Sequence, residues 1–185
     1  APTPAPVPCR EASYDGSASM GPSYRYFQGG RNGPFGSNAG WEKRFNTNTK
    51  HYLTYRFASP RAITKATMRQ YGRSCSSVSS GCCASRGTVH RHGKTVRNFC
   101  ADYSGNRYSG YSGAYCANIK IQYSDNGSSF TTASTWPAQI LDNTFYWNSV
   151  GAHRYWRLLC DDTSYHGGNP NQWQGQGIRL FQGDC

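Results

Sequence analysis

Between Ile119 and Trp136 the chain reads Ile-Lys-Ile-Gln-Tyr-Ser-Asp-Asn-Gly-Ser-Ser-Phe-Thr-Thr-Ala-Ser-Thr-Trp, and this stretch constrains the fold more than any other. Ile119, Ile121 and Tyr123 alternate with Lys120 and Gln122, the period-two pattern of a strand with one buried face. Ser-Asp-Asn-Gly then offers residues that tolerate positive φ, and an extended pattern resumes from Ser128 to Thr132, so the two runs predict a β-hairpin. A hairpin cannot bury its apolar face alone, so other segments must supply partner strands.

They do. His51 to Phe57 alternates Leu53, Tyr55 and Phe57 with Thr54 and Arg56; Pro60 interrupts it, and Ala62 to Tyr71 continues as a second strand. Thr144 to Trp147 reads as a short strand. Arg154 to Cys160 reads as a longer one with Trp156, Leu158 and Cys160 on one face, and Ile178 to Phe181 as the last. Arg10 to Asn48 reads as one short strand followed by long loops, in which Tyr24, Tyr26, Phe27, Phe35 and Trp41 serve mostly as plugs for the core. No run has apolar residues at helical spacing with caps, and none approaches the roughly 18 apolar residues of a membrane span. Only 36% of the residues are hydrophobic while 15% are aromatic, so a few large rings must supply much of the buried area. Eight or so short antiparallel strands with turns between them describe an all-β sandwich or jelly roll.

The 185 residues suit a single domain over 9–185, preceded by a Pro-rich lead-in over 1–8. Eight cysteines suit disulfides in an oxidising compartment. They suit zinc badly, because no Cys-x2-Cys pair is matched by a second and Cys82 and Cys83 are adjacent. Cys75, Cys82, Cys83, Cys100 and Cys116 fall in an insertion at about 72–117 whose only acid is Asp102. Loops of this length are functional or stapled, and these cysteines are the expected staples. The Tyr-Ser-Gly repeats at Tyr103, Tyr108 and Tyr111 read as a low-complexity surface patch. Because the chain starts at Ala1 without a basic and apolar leader, it reads as a mature secreted protein. The formal charge of +11 favours polyanionic partners such as sulfated or sialylated glycans or anionic lipid head groups. An extracellular setting argues against nucleic acid as the natural target.

Trp41, Tyr52-Leu-Thr-Tyr-Arg-Phe57, Pro60-Arg-Ala-Ile-Thr-Lys65, Ile119-Lys-Ile-Gln-Tyr-Ser-Asp-Asn-Gly127, Arg154-Tyr-Trp-Arg-Leu158 and Ile178-Arg-Leu180, in that order, resemble the discoidin or coagulation factor 5/8 type C domain. The resemblance covers most of Trp41 to Cys185. It implies an eight-stranded galactose-binding-like jelly roll whose loops, at the end away from the termini, bind sugars, lipid head groups, collagen or other proteins. It also implies a disulfide between Cys9 and Cys185. The remaining bridges are expected mostly between Cys75 and Cys116, with Cys160 joining one of them, and Cys82 and Cys83 taking separate partners. Some departures limit the transfer. Tyr55-Arg56-Phe57 stands where the family usually has an acidic residue, Ala58 follows where it has a small one, and the insertion is longer than the family's loop. Some members hold calcium before the Trp41 position, but Phe27 to Arg44 offers only Glu42 as a carboxylate, so no metal or other cofactor is expected. The adjacent Cys82 and Cys83, with Arg86 behind, partly resemble fucose-binding F-type lectins. Ser79-Ser80-Gly81 replaces the partners that would grip fucose, so fucose specificity does not follow.

Catalysis finds no support. Glu11, Asp15, Glu42, Asp102, Asp125, Asp142, Asp161, Asp162 and Asp184 form no evident general acid and base pair. His51, His90, His92, His153 and His166 read as solvated loop residues, and Arg91, Lys94 and Arg97 would repel a cation from His90 and His92. No nucleophile elbow, zinc-protease or phosphate-cradle motif occurs. Two functional classes remain. One is a secreted, non-enzymatic lectin or adhesion module; the other is an extracellular matrix protein, oligomeric through Tyr-rich, basic surfaces that pair by cation-π contacts or bind other matrix proteins. For the first class, the Asp161 to Gly177 loop, the Trp41 loop and the insertion should meet at the end opposite the termini. There Trp173 would stack on a pyranose, with Asp162, Tyr165, His166 and Asn169 from the same loop and Arg73 or Arg91 from the insertion reading its hydroxyls. Trp41 can face ligand or core in the family, and Trp173 can instead cap the sandwich. Asn126, in Asn-Gly-Ser on the hairpin turn, is an acceptor for N-glycosylation or a plain turn residue.

Overall fold

The computed structural model describes residues 6–21, 26–27, 29–44, 50–71, 73–74, 88–91, 94–97, 108–109, 116–138, 141–163 and 172–185. The strands are β1 (Arg10–Glu11), β2 (Ser17–Gly21), β3 (Tyr26–Phe27), β4 (Gly40–Arg44), β5 (His51–Arg61), β6 (Ile63–Tyr71), β7 (Arg73–Ser74), β8 (Thr88–Arg91), β9 (Lys94–Arg97), β10 (Tyr108–Ser109), β11 (Cys116–Ser124), β12 (Thr131–Pro137), β13 (Leu141–Tyr146), β14 (His153–Thr163) and β15 (Gln172–Gln182). Sheet A has six strands, in the order β13-β6-β15-β4-β3 with β1 also on β15; sheet B has five, in the order β12-β11-β14-β5-β2. Both are antiparallel throughout. Within the insertion, β7 pairs with β10 and β8 with β9. The all-β, antiparallel jelly roll read from the sequence is the architecture found.

The expected hairpin is β11–β12, with Ile119 opposite Trp136 and Tyr123 opposite Thr131. Ile119 and Ile121 are buried, as their alternation requires. On the other face Gln122 is also covered, because Arg157 Nε donates to its Oε1 at 2.7 Å and its own Nε2 donates to Thr132. Large rings dominate the space between the sheets: Trp41, Trp156, Trp173, Tyr55, Phe35, Phe57 and Phe145 are all essentially inaccessible. Phe35 is one of the plugs foreseen among the early aromatics, 5.3 Å from the Tyr55 ring and bridged to Ile178.

Two segments are more regular than their composition suggests. Arg10 to Asn48 contains β1 to β4 rather than one short strand, so Trp41 lies in a strand and not in a loop. The polar segment Asp161 to Gly177 is likewise part strand: β14 runs on to Thr163, and β15 begins at Gln172. Gln-Trp-Gln-Gly-Gln-Gly has the composition of a loop, but its first glycine makes room for neighbours. A Cβ on Gly175 would run into the Arg69 carbonyl and lie 2.6 Å from the Trp41 ring. Two histidines are not solvated loop residues either. His51 is buried in β5, and the His153 ring stacks on Tyr123 at 4.1 Å with Nδ1 3.1 Å from the Asp125 carboxylate.

Asp15 ties the connection before β2 to β5. Its Oδ1 accepts from the Ala58 N–H at 3.1 Å and its Oδ2 from Arg61 Nη2 at 2.7 Å. The Ala58 hydrogen bond, reinforced by Arg61, holds this carboxyl below the usual carboxylate range. A depressed folded-state pKa contributes stability above the unfolded value of about 3.9, and that contribution is lost as pH falls through the folded value. Asp15→Asn is therefore expected to cost about 0.5–1 kcal/mol at pH 7, since the pair is partly exposed, and less at pH 3. Urea unfolding at the two pH values checks this; an equal cost at both would contradict it.

Candidate functional site

Strand directions define two ends. At one, the Cys9–Cys185 disulfide joins the termini with Cα atoms 4.7 Å apart. Arg10 pairs with Gln182, Gln182 with Ile63, and His153 with Arg61 at this same end. At the other, Cys160 pairs with His51, Cys116 with Thr163, Gln174 with Tyr71, and Gln172 with Arg44. The chain therefore leaves β4, β6 and β14 at the end opposite Cys9–Cys185, where the sequence places the binding loops.

This far end is tied down from within. A Cys116–Cys160 disulfide links β11 to β14 inside sheet B, which gives Cys160 a partner from the insertion's last cysteine. Cys75, Cys82, Cys83 and Cys100 lie outside the described residues. Gln70, on sheet A and fully buried, reaches across to sheet B: its Nε2 donates to the Cys116 carbonyl at 3.1 Å and its Oε1 accepts from the Cys116 N–H at 2.9 Å. The same Oε1 accepts from Trp173 Nε1 at 2.7 Å. Nothing in the periodicity of β6 announces this clasp, beyond a glutamine standing at an inward position.

The expected ligand residues divide accordingly. Trp41 and Trp173 do come together, edge to face at 5.7 Å, but inside the core, with exposures of 1% and 0%. Neither indole presents a face to a sugar, and the stacking role expected of Trp173 is corrected to a packing one. The cause is register: Trp173 and Gly175 fall on the inward face of β15, beside Trp41 on β4. Asp162 lies on β14 opposite Asn118 rather than in a loop. Arg73 pairs with Ser109, and Arg91 with Lys94 in the β8–β9 hairpin. Tyr165, His166 and Asn169 lie outside the described residues.

Elsewhere the outer face of sheet B carries stacked arginines. Arg157 lies 3.7 Å from the Phe130 ring centroid and 4.9 Å from that of Tyr52, while Arg56 lies 5.9 Å from Tyr155. Burial draws the Arg157 pKa below its ordinary value. Asn126 is exposed on the hairpin turn, and its Oδ1 accepts from the N–H groups of Ser128 and Ser129 at 2.9 Å each. Among the described residues no group of three or more His, Cys, Asp and Glu side chains could hold a metal ion.

The two antiparallel sheets, with the termini joined by a disulfide at one end, define a discoidin-like jelly roll. No family model matches the chain, and no curated protein matches it significantly. Among solved structures it is similar to chitosan-binding module 1 from a chitosanase/glucanase of Paenibacillus sp. IK-5, with a TM-score of 0.51 and 10% identity over 92% of this chain and 98% of that one. It is also similar to a structure of the CBM32-1, CBM32-2 and M60 catalytic domains of Clostridium perfringens ZmpB, with a TM-score of 0.54 and 12% identity over 91% of this chain and 14% of that one. An F5/8 type C domain from Bacteroides fragilis aligns with a TM-score of 0.46 and 11% identity over 80% of this chain and 76% of its own. At such identities the first two likenesses establish the fold.

Proposed function

We propose that this chain is a carbohydrate-binding module, a secreted and non-catalytic recognition domain that takes glycans at the loop end opposite Cys9–Cys185. The observation that supports this most is the shared fold, which matches a chitosan-binding module over nearly all of both chains. The positive charge favours a sulfated or otherwise acidic glycan, with anionic lipid head groups as the neighbouring chemistry. With both buried indoles set aside, Arg73, Arg91, Asp162, Tyr165, His166 and Asn169 are the residues proposed to read the ligand.

Disulfide-intact protein on a glycan array that includes chitosan oligomers, galactosamine-containing disaccharides and sulfated chains is expected to bind at least one of these classes. Arg91→Ala, His166→Ala and Asn169→Ala should weaken that binding without moving the thermal midpoint. Silence across the array would overturn the reading. A self-associating matrix protein is the second reading, favoured by the Tyr146, Lys65 and Phe181 row on the outer face of sheet A, where Lys65 Nζ lies 5.3 Å and 4.6 Å from the two ring centroids. Light scattering over a concentration series separates the two: association reversed by free sugar supports the module, and association indifferent to sugar supports the matrix protein.

A further inference from the structure

At the terminal end lies a groove of about 870 Å3 whose lining includes Arg10, Tyr146, Trp147, Asn148, Gln182 and Asp184. That volume is within the roughly 300–1,000 Å3 of small-molecule sites. Val7 and Tyr146 are the exposed large hydrophobics among the described residues, and both line this groove. We propose that it is a second carbohydrate site, for a short neutral oligosaccharide with one pyranose stacked on Tyr146.

The walls are pre-set. Cys9–Cys185 closes one side, the Val7 N–H donates to Asp184 Oδ2 at 2.7 Å, and the Asp184 N–H donates back to the Val7 carbonyl at 2.8 Å. Thr64 Oγ1 donates to the Gly183 carbonyl at 2.6 Å, and the Trp147 N–H donates to the Thr64 carbonyl at 3.0 Å. A site held this way loses little freedom on binding.

Tyr146 is 45% exposed at the end of β13. Alternation along that strand turns Phe145 into the core and Tyr146 outward, where the Lys65 ammonium steadies its ring. Around it stand the side chains of Arg10, Asn148 and Gln182, the first two exposed and the third half-buried. Asp184 keeps one carboxylate oxygen free of Val7. Amides, a guanidinium and a carboxylate oxygen around an aromatic face are what sugar hydroxyls and the apolar face of a pyranose need. Among the lining residues Arg10 is the cation and Asp184 the side-chain anion, and the nearby Lys65 ammonium is engaged by the Tyr146 and Phe181 rings, so the groove suits a neutral ligand better than the acidic glycans proposed for the loop end. The groove lies at the opposite end from those loops, so the proposal does not depend on them.

The test is a titration of the 15N-labelled full chain with cellotriose, N,N′,N″-triacetylchitotriose and lactose, read at the Trp147 indole N–H and the Asn148 and Gln182 side-chain amides. At least one of these sugars should shift those signals along a saturable curve. Tyr146→Ala should weaken that binding by about tenfold or more, and Tyr146→Phe, which keeps the ring, by no more than about threefold. A combined Arg91→Ala, His166→Ala and Asn169→Ala chain should leave the groove titration unchanged. Absence of any shift at these groups, or equal affinity in Tyr146→Ala, would overturn the groove. Shifts confined to loop-end signals would do the same while leaving the proposed function intact.

Discussion

Trp173→Ala is expected to destabilise the protein by about 3–5 kcal/mol, the range for removing a large ring from a packed core. The indole is fully buried, meets Trp41 edge to face at 5.7 Å, and donates to Gln70 Oε1 at 2.7 Å. Truncation opens a cavity between the sheets and removes one of the contacts that orient the Gln70 amide toward Cys116. For a chain of this size each kcal/mol moves the thermal midpoint by about 2–4 °C, so the midpoint should fall by about 10 °C. Trp173→Phe should lie between, since it keeps a six-membered ring but loses the pyrrole part of the indole with its N–H donor. A Trp173→Ala midpoint within about 2 °C of the parent would show that the ring is not a core element. If the midpoint falls as expected, a loss of sugar binding in this variant reports lost packing rather than a lost platform.

Removing the terminal bridge should have a comparable effect. Cys9 and Cys185 are 176 residues apart, so their bond closes nearly the whole chain into one loop. On a chain-entropy account, replacing both by serine should cost about 3–5 kcal/mol, with the loss arising mainly from the freer unfolded ensemble. The Cys116–Cys160 loop, with a separation of 44, should contribute about 1 kcal/mol less on the same account. Denaturant unfolding of the two double-serine variants measures both terms. A cost below about 1 kcal/mol for the terminal pair would mean that the β1–β15 ladder and the Val7–Asp184 hydrogen bonds hold this end unaided.

The legible parts of the sequence were those in which one physical signal dominated. Ile119 to Tyr123 alternates cleanly around a turn that only a few residue types can make, and Leu53, Tyr55 and Phe57 do the same in β5. Ordered motifs then implied the terminal bridge that the structure contains. Gln172 to Gly177 was illegible because its letters describe a loop, while the determinant is space: Gly175 is where Trp41 must fit. Trp173 misled for a related reason, since an indole in a polar segment reads equally as platform or plug until strand register decides. Gln70 gave no signal, because its partners are a backbone group 46 residues away and a ring nitrogen 103 residues away. Tyr146 could have been found, since Thr144-Phe-Tyr146 alternates and Phe145 is the obvious inward residue.

The place of β15 in sheet A has a consequence for biosynthesis. It lies between β6 and β4 and pairs with both, so residues near the C-terminus form the middle of the sheet. During translation β4 and β6 emerge early with nothing between them, and Trp41 on β4 and Met68 on β6 lack their β15 neighbour until that strand has emerged. The β3–β4 and β6–β13 pairs can form as their strands emerge, but the two halves of sheet A are joined only once β15 is made, so its central ladders close last.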